Sequence, residues 1–349
     1  MRALTVRPGQ TGSVAVTDML EPASHAGAVL VETLAVGICG TDNEIVMGEY
    51  GEAPPGEDRL VLGHESLGRV LEAPAGAGVS PGDLVVGIVR RPDPVPCASC
   101  AVGEWDMCRN GLYTERGIKG LHGYASEHYR IEPEFVVRVA PQLADVGVLL
   151  EPTSVVAKAW DHIERIGQRV HWAPHSLLVT GAGPIGLLAA LLGVQRGLEV
   201  HVLDRVTEGP KPKLVADLGA TYHAALPSEI GLCPDIVIEC TGAAPVVADV
   251  LTGTRNDGIV CLAGVSPPGH TRVLDLGGLN REIVLQNDVI FGTVNANRRH
   301  YELAATALAH GNASWLQRLI TRRVPLSEYG DALERRRDDV KVVVDFTLR

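Results

Sequence analysis

Hydrophobic positions are arranged differently in the two halves of this chain. Up to about residue 150 they form short Val-rich runs broken by Gly and Pro, as at residues 29–36, 68–71 and 83–89. Short runs punctuated in this way predict an all-β, barrel-like domain. From about Glu151 the rhythm changes. Residues 153–165 read as a helix, and compact apolar runs at 176–180, 199–203, 235–240, 258–263 and 289–294 then alternate with helical stretches. Alternation of strands and helices predicts an α/β domain with a doubly wound parallel sheet. The tail adds a helix over 300–310 and an apolar strand over 341–346, which is expected to return to the first domain. Residues 207–213, with two prolines and a glycine, read as a flexible loop.

At 349 residues the chain is long enough for two domains with sizeable cores. A hydrophobic content of 46% with 21% charged residues is ordinary for a globular enzyme. The net charge of −11 argues against nucleic acid or an anionic membrane as the partner. No apolar run reaches membrane-spanning length, and the N-terminal residues lack the apolar core of a signal peptide, so a cytoplasmic location is expected. Seven cysteines, four of them isolated, do not make a disulfide framework.

The sharpest motif is Gly181-Ala182-Gly183-Pro184-Ile185-Gly186, between the strand at 176–180 and a helix-like run at 187–195. Gly-x-Gly-x-x-Gly at a strand-to-helix junction permits a tight turn, close approach of a pyrophosphate to bare backbone, and close helix–strand packing. The helix N-terminus adds a positive dipole end. Asp204, 18 positions after Gly186, closes the next strand where a dinucleotide fold places an acid against the ribose hydroxyls. A nicotinamide dinucleotide is the expected cofactor, with NAD preferred and NADP second.

A hydride acceptor does not itself activate a hydroxyl, so an activating group is expected in the β-rich half. Cys39 stands in a Gly-flanked turn, His64 and Glu65 follow Gly63, and Glu151 opens the helix at the domain boundary. Thiolate, imidazole and carboxylate together suit tetrahedral zinc. Taken singly, each is equally an ordinary core or helix-start residue. Cys97, Cys100 and Cys108 form a separate C-x2-C-x7-C cluster.

The segments Gly37-Ile38-Cys39-Gly40-Thr41-Asp42 and Gly63-His64-Glu65, ahead of the glycine loop, resemble the zinc-containing medium-chain alcohol and polyol dehydrogenases over essentially the whole chain. Residues 111–118, 122–127, 280–287 and 291–295 are most similar to the archaeal-type glucose 1-dehydrogenases. The resemblance implies a GroES-like catalytic domain over 1–155, a Rossmann domain over 156–295 and a C-terminal return over 296–349. It implies a catalytic zinc on Cys39, His64, Glu65 and Glu151, with ligand exchange during turnover, and Thr41 as the first proton acceptor. The expected reaction is hydride transfer from a hydroxyl of a sugar, polyol or cyclitol to NAD(P). Rival readings are a simple-alcohol or amino-alcohol dehydrogenase and a dinucleotide-binding protein without catalysis.

Relatives often carry a structural zinc on four cysteines. Here the first falls at Pro94, so adjacent Asp93 is the candidate fourth ligand beside Cys97, Cys100 and Cys108; the alternative is three free thiols. Expected cofactor contacts are Gly181, Gly183, Pro184, Ile185, Gly186, Asp204, Arg205, Thr241 and Asn295. Lys211 and Lys213 lie near Arg205 and leave NADP open. Glu115 and Glu151 are the candidate substrate contacts, Glu115 alternatively pairing with Arg116 or another neighbour, and Asn297 is expected near the same place. Val89 stands where some sugar-oxidising relatives use a polar residue, which leaves room for a related polyol or cyclitol. The loop at residues 48–55 is expected to edge the pocket. A homodimer or homotetramer is expected, with residues 289–294 as the contact.

Overall fold

The computed structural model describes residues 1–267, 269 and 271–348. The chain forms two compact units, Met1–Ser154 with Asn295–Arg349, and Val155–Val294.

In the first unit the longest strand, Val29–Ile38, organises a seven-stranded sheet. It pairs antiparallel with Glu65–Glu72, with His128–Ile131 and, at its C-terminal end, with Lys341–Asp345. The last of these also pairs in parallel with Ile320–Pro325. The C-terminal strand Lys341–Asp345 lies in the first unit. Its sequence is β-branched throughout its middle, and all five residues are buried. The register is consequential: Gly37 lies opposite Glu65 on one side and opposite Val343 on the other. A Cβ at Gly37 would stand 2.0 Å from Glu65 Oε2, so only glycine lets the Glu65 side chain cross that strand. A small sheet of Arg90–Arg91, Thr114–Arg116 and Gly120–Leu121 sets Arg90 directly opposite Glu115.

The second unit is a six-stranded, wholly parallel sheet. Its spatial order is Thr221–His223, Glu199–Leu203, Ser176–Thr180, Ile236–Glu239, Ile259–Leu262, Val289–Gly292. The strand order reverses beside Ser176–Thr180, the position at which doubly wound sheets bind ligands. Leu178, Leu203, Val237, Val250 and Val260 form a core cluster in this unit. Helix Pro184–Gln195 is buried on nearly every side, which explains why its sequence is apolar without amphipathic period.

One expectation fails here. Residues 207–213 are not a loop throughout, because helix Pro210–Asp217 begins inside them. Pro210 occupies the first helical position, where the missing N–H costs nothing and the fixed φ favours the helix. Among the described residues no helix is long and apolar enough to cross a membrane.

Candidate active site

Cys39 is the N-cap of helix Gly40–Val46. Its Sγ accepts the Thr41 amide at 3.3 Å while the Asp42 carboxylate accepts the Cys39 amide at 2.9 Å, a reciprocal capping box. The thiol is thereby aimed by two local hydrogen bonds. His64 immediately precedes strand Glu65–Glu72, and its Nε2 lies 3.0 Å from Cys39 Sγ. On the far side of the ring, His64 Nδ1 faces Asp42 Oδ1 at 3.5 Å. Those two buried atoms have no hydrogen-bond partner at ordinary geometry. A metal on Nε2 would leave the ring proton on Nδ1, where Asp42 would orient it. Cys39, Asp42 and His64 form one tight group, their ligand atoms all within 4.8 Å of one another.

Glu65 and Glu151 are buried close to this group without belonging to it. Both oxygens of Glu65 are held by Lys341 Nζ at 2.6 Å, and Nζ also donates to the Ile38 carbonyl at 3.3 Å. Burial pushes the Glu151 carboxyl up to about 7; Glu65 and Asp42 add to this, against His64 and Lys341. Burial opposes the charge on His64, yet the Cys39 thiolate and Asp42 outweigh it and raise its pKa. Burial likewise opposes ionisation of Asp42, and His64, the Cys39 amide and Lys341 outweigh it to leave its pKa lowered. Lys341 is raised, with burial opposing and Glu65 and Cys39 prevailing. A thiol and three carboxyls thus share a buried space with one lysine and one imidazole. A divalent cation there would relieve the excess of anionic groups, so the donor set fits zinc.

The second cysteine cluster is also assembled. The sulfurs of Cys97, Cys100 and Cys108 lie within 4.8 Å of one another. The Arg109 and Cys100 amides pull the Cys97 thiol down to about 6, while burial pushes Cys100 up to about 11. Asp93, expected as a fourth ligand, does not join the group. Its Oδ1 instead accepts the Val95 amide at 2.8 Å, the local turn bond that aspartate favours, and its buried Oδ2 has no partner.

Glu115 is buried and paired, with Arg90 and not with Arg116. Its Oε1 accepts Arg90 Nε at 3.0 Å, Arg90 Nη2 at 2.9 Å and Asn295 Nδ2 at 2.7 Å. Arg90 stacks 3.7 Å from the centre of the Tyr113 ring and donates to the Asp106 carbonyl. Asn297 donates to Asp106 Oδ1 at 2.8 Å. Arg116 instead bonds the carbonyls of His122 and Arg130. Val89 is buried, and its amide donates to the Tyr301 hydroxyl.

In the second unit the three motif glycines do different work. Gly181 has φ +92, where a side chain would be strained, and a Cβ on it would stand 2.9 Å from Thr241. A Cβ on Gly186 would lie 1.7 Å from the Gly181 carbonyl oxygen. Around Gly183, by contrast, nothing lies within 4 Å of a Cβ, which leaves bare backbone at the helix start for a phosphate. The first helical bond runs from the Leu187 amide to the Gly183 carbonyl, so the amides of Ile185 and Gly186 precede the ladder, and Pro184 has none to satisfy. This cradle fits a dinucleotide. Thr241 is exposed, its amide at 2.7 Å and its hydroxyl both donating to buried Glu239. Arg205 is exposed beside Asp204.

Three participants were not singled out from sequence: Asp42, Lys341 and Arg90. Only Asp42 had a readable signal, its three-residue spacing from Cys39 being that of a capping box.

Known proteins match this chain over its full length. Residues 25–141 match the alcohol dehydrogenase GroES-like domain, and residues 144–346 match the glucose dehydrogenase C-terminus. Glucose 1-dehydrogenase of Methanocella arvoryzae is 40% identical, with 99% of each chain covered. That of Thermoproteus tenax is 41% identical at the same coverage. Among solved structures, Haloferax mediterranei glucose dehydrogenase, described in complex with NADP, Zn and gluconolactone, superposes with a TM-score of 0.92 at 32% identity, covering 100% of both chains.

Proposed function

Because the chain belongs to the glucose 1-dehydrogenase type of zinc-dependent medium-chain dehydrogenases, we propose that it oxidises the hemiacetal hydroxyl of an aldose such as glucose. The products are the lactone, reduced nicotinamide dinucleotide and one proton. The observation that carries this reading is the convergence of Cys39 Sγ and His64 Nε2, braced by Asp42, among buried carboxyls. When bound, zinc supplies the Lewis acidity that makes a hydroxyl acidic near neutral pH, and the oxidised nicotinamide takes the hydride. Cys39, His64, Glu65 and Glu151 would hold the metal, with Lys341 as the alternative partner of Glu65. Thr41, half-buried beside Cys39, takes the hydroxyl proton first and passes it towards solvent. Glu115 orients the sugar. Its Oε1 is filled by Arg90 and Asn295, which leaves Oε2 as the acceptor for a sugar hydroxyl in this reading.

Cys97, Cys100 and Cys108 hold a second, structural zinc in this reading. The chain works in the cytoplasm as a homodimer or homotetramer through the edge strand Val289–Gly292. A monomer on size-exclusion chromatography would remove the assembly. The function itself is tested by following reduced-nicotinamide absorbance with NAD and NADP across aldoses, polyols, cyclitols and simple alcohols. Turnover fastest on an aldose, with lactone as product, is expected. Turnover confined to simple alcohols, or none with zinc and cofactor bound, refutes it.

A further inference from the structure

The acid at the end of strand Glu199–Leu203 is already occupied. Asp204 Oδ2 accepts the Ala182 amide of the glycine loop at 2.8 Å and faces Lys211 Nζ at 3.2 Å, while Oδ1 accepts the Val206 amide at 3.2 Å. A carboxylate offers about four lone-pair sites, and three are taken, so it cannot give two free acceptors to a ribose. The lysine and aspartate side chains are 11% and 12% exposed, which leaves little water to screen the pair. The surrounding loop is also tied down, because the Tyr222 hydroxyl donates to the Val206 carbonyl. Arg205, next in the chain, is exposed on the same loop.

These contacts change what Asp204 can do. A lone aspartate at this position repels a 2′-phosphate, and that repulsion is the physical basis of NAD selectivity. An aspartate whose charge is balanced at 3.2 Å by a lysine has lost most of that power. We propose that Lys211 sets the cofactor choice of this chain: it neutralises Asp204 and presents an ammonium group to the 2′-phosphate, so that NADP is accepted beside NAD. The proposal rests on the dinucleotide-dehydrogenase reading above and goes beyond it by naming the residue that decides between the two cofactors.

Its test is a fluorescence titration of the zinc-loaded protein with NADPH and with NADH, for the wild type, Lys211→Met and Lys211→Arg. The Met variant is expected to weaken NADPH by about tenfold or more, the size of one charge-assisted hydrogen bond, and to leave NADH unchanged or tighter. The Arg variant keeps NADPH affinity. Equal weakening of both cofactors in the Met variant would mean that Lys211 only holds its helix to the loop, and it overturns the proposal. So does NADPH affinity that is unmoved. A wild type that binds neither cofactor overturns the dinucleotide reading itself, and the wild-type titration alone reports that.

Discussion

Replacing Lys341 by methionine removes the lysine that faces Glu65, and the structure sets the scale of the effect. Lys341 Nζ lies 2.6 Å from each Glu65 oxygen, and the two side chains are 2% and 3% exposed. Breaking a buried pair by deleting one partner costs about 3–5 kcal/mol, because the other charge is left in low dielectric. For a unit of about 200 residues each kcal/mol moves Tm by about 2–4 °C, so a fall of about 6–20 °C is expected. Glu151, already pushed up to about 7, would lose one of its two opposing cations. The assay is thermal unfolding of zinc-loaded and chelator-treated protein, with the larger loss in the chelated form, where zinc no longer offers Glu65 a partner. The double variant Lys341→Met with Glu65→Gln removes both charges and should recover most of the loss, giving a coupling well outside additivity. A Tm within 2 °C of wild type in both forms, or a double variant worse than the sum of the singles, would refute the reasoning.

Zinc should be present at about two per chain, with Cys39→Ala removing one together with activity and Cys100→Ser removing the other. Stoichiometry near one that ignores Cys100→Ser would sink the structural site, and turnover without the first zinc would sink the mechanism. Gly186→Ala should weaken both nicotinamide cofactors by at least about tenfold with zinc content unchanged, since its Cβ would meet the Gly181 carbonyl at 1.7 Å; unaltered binding in a titration would contradict this. His223 has a pKa below 6.5 through burial and the facing His201, whose Nδ1 is 3.0 Å from His223 Nε2. The folded state therefore binds fewer protons than the unfolded one, and this contribution to stability is full above pH 6.5 and falls as pH drops through that value. His223→Gln should flatten the fall in Tm between about pH 7 and 5, and an unchanged slope would count against it.

The parts of this fold that were legible in the sequence depend on local pattern. The parallel sheet showed itself because strands buried on both faces read as continuous apolar runs, as at Ser176–Thr180 and Glu199–Leu203. The glycine loop was legible because its spacing is local, with Gly181 answering a positive φ and Gly186 a close backbone approach. Cys39, His64, Glu65 and Glu151 are readable as a candidate zinc set from their chemistry, but nothing local ties residue 39 to residue 151, and family likeness is what favours the set over ordinary core residues. Glu115 was open to two readings for the same reason. Its partner depends on the pairing of Arg90–Arg91 with Thr114–Arg116, which selects Arg90 and turns Arg116 away. Helix Pro210–Asp217 is hidden in the sequence because two prolines signal a break, although the first of them is a helix starter.

The residues that escaped sequence reading share a physical origin. Lys341 meets Glu65 across 276 positions, and Asn295 meets Glu115 across 180. In both cases the later residue belongs to the segment that re-enters the first unit after the second is complete. That segment contributes more than a covering strand. Its strand Lys341–Asp345 pairs with Val29–Ile38 so that Val342 stands opposite Ile38, which brings the preceding residue, Lys341, beside Cys39 and Glu65. Its first residues, Asn295 and Asn297, bond Glu115 and Asp106. The Glu65 and Glu115 carboxylates are therefore each set by groups that arrive last in the chain. A chain ending before Asn295 would keep Cys39, His64 and Glu65 yet leave Glu65 as a buried charge without its cation, so the first unit should not assemble a working site from residues 1–154 alone.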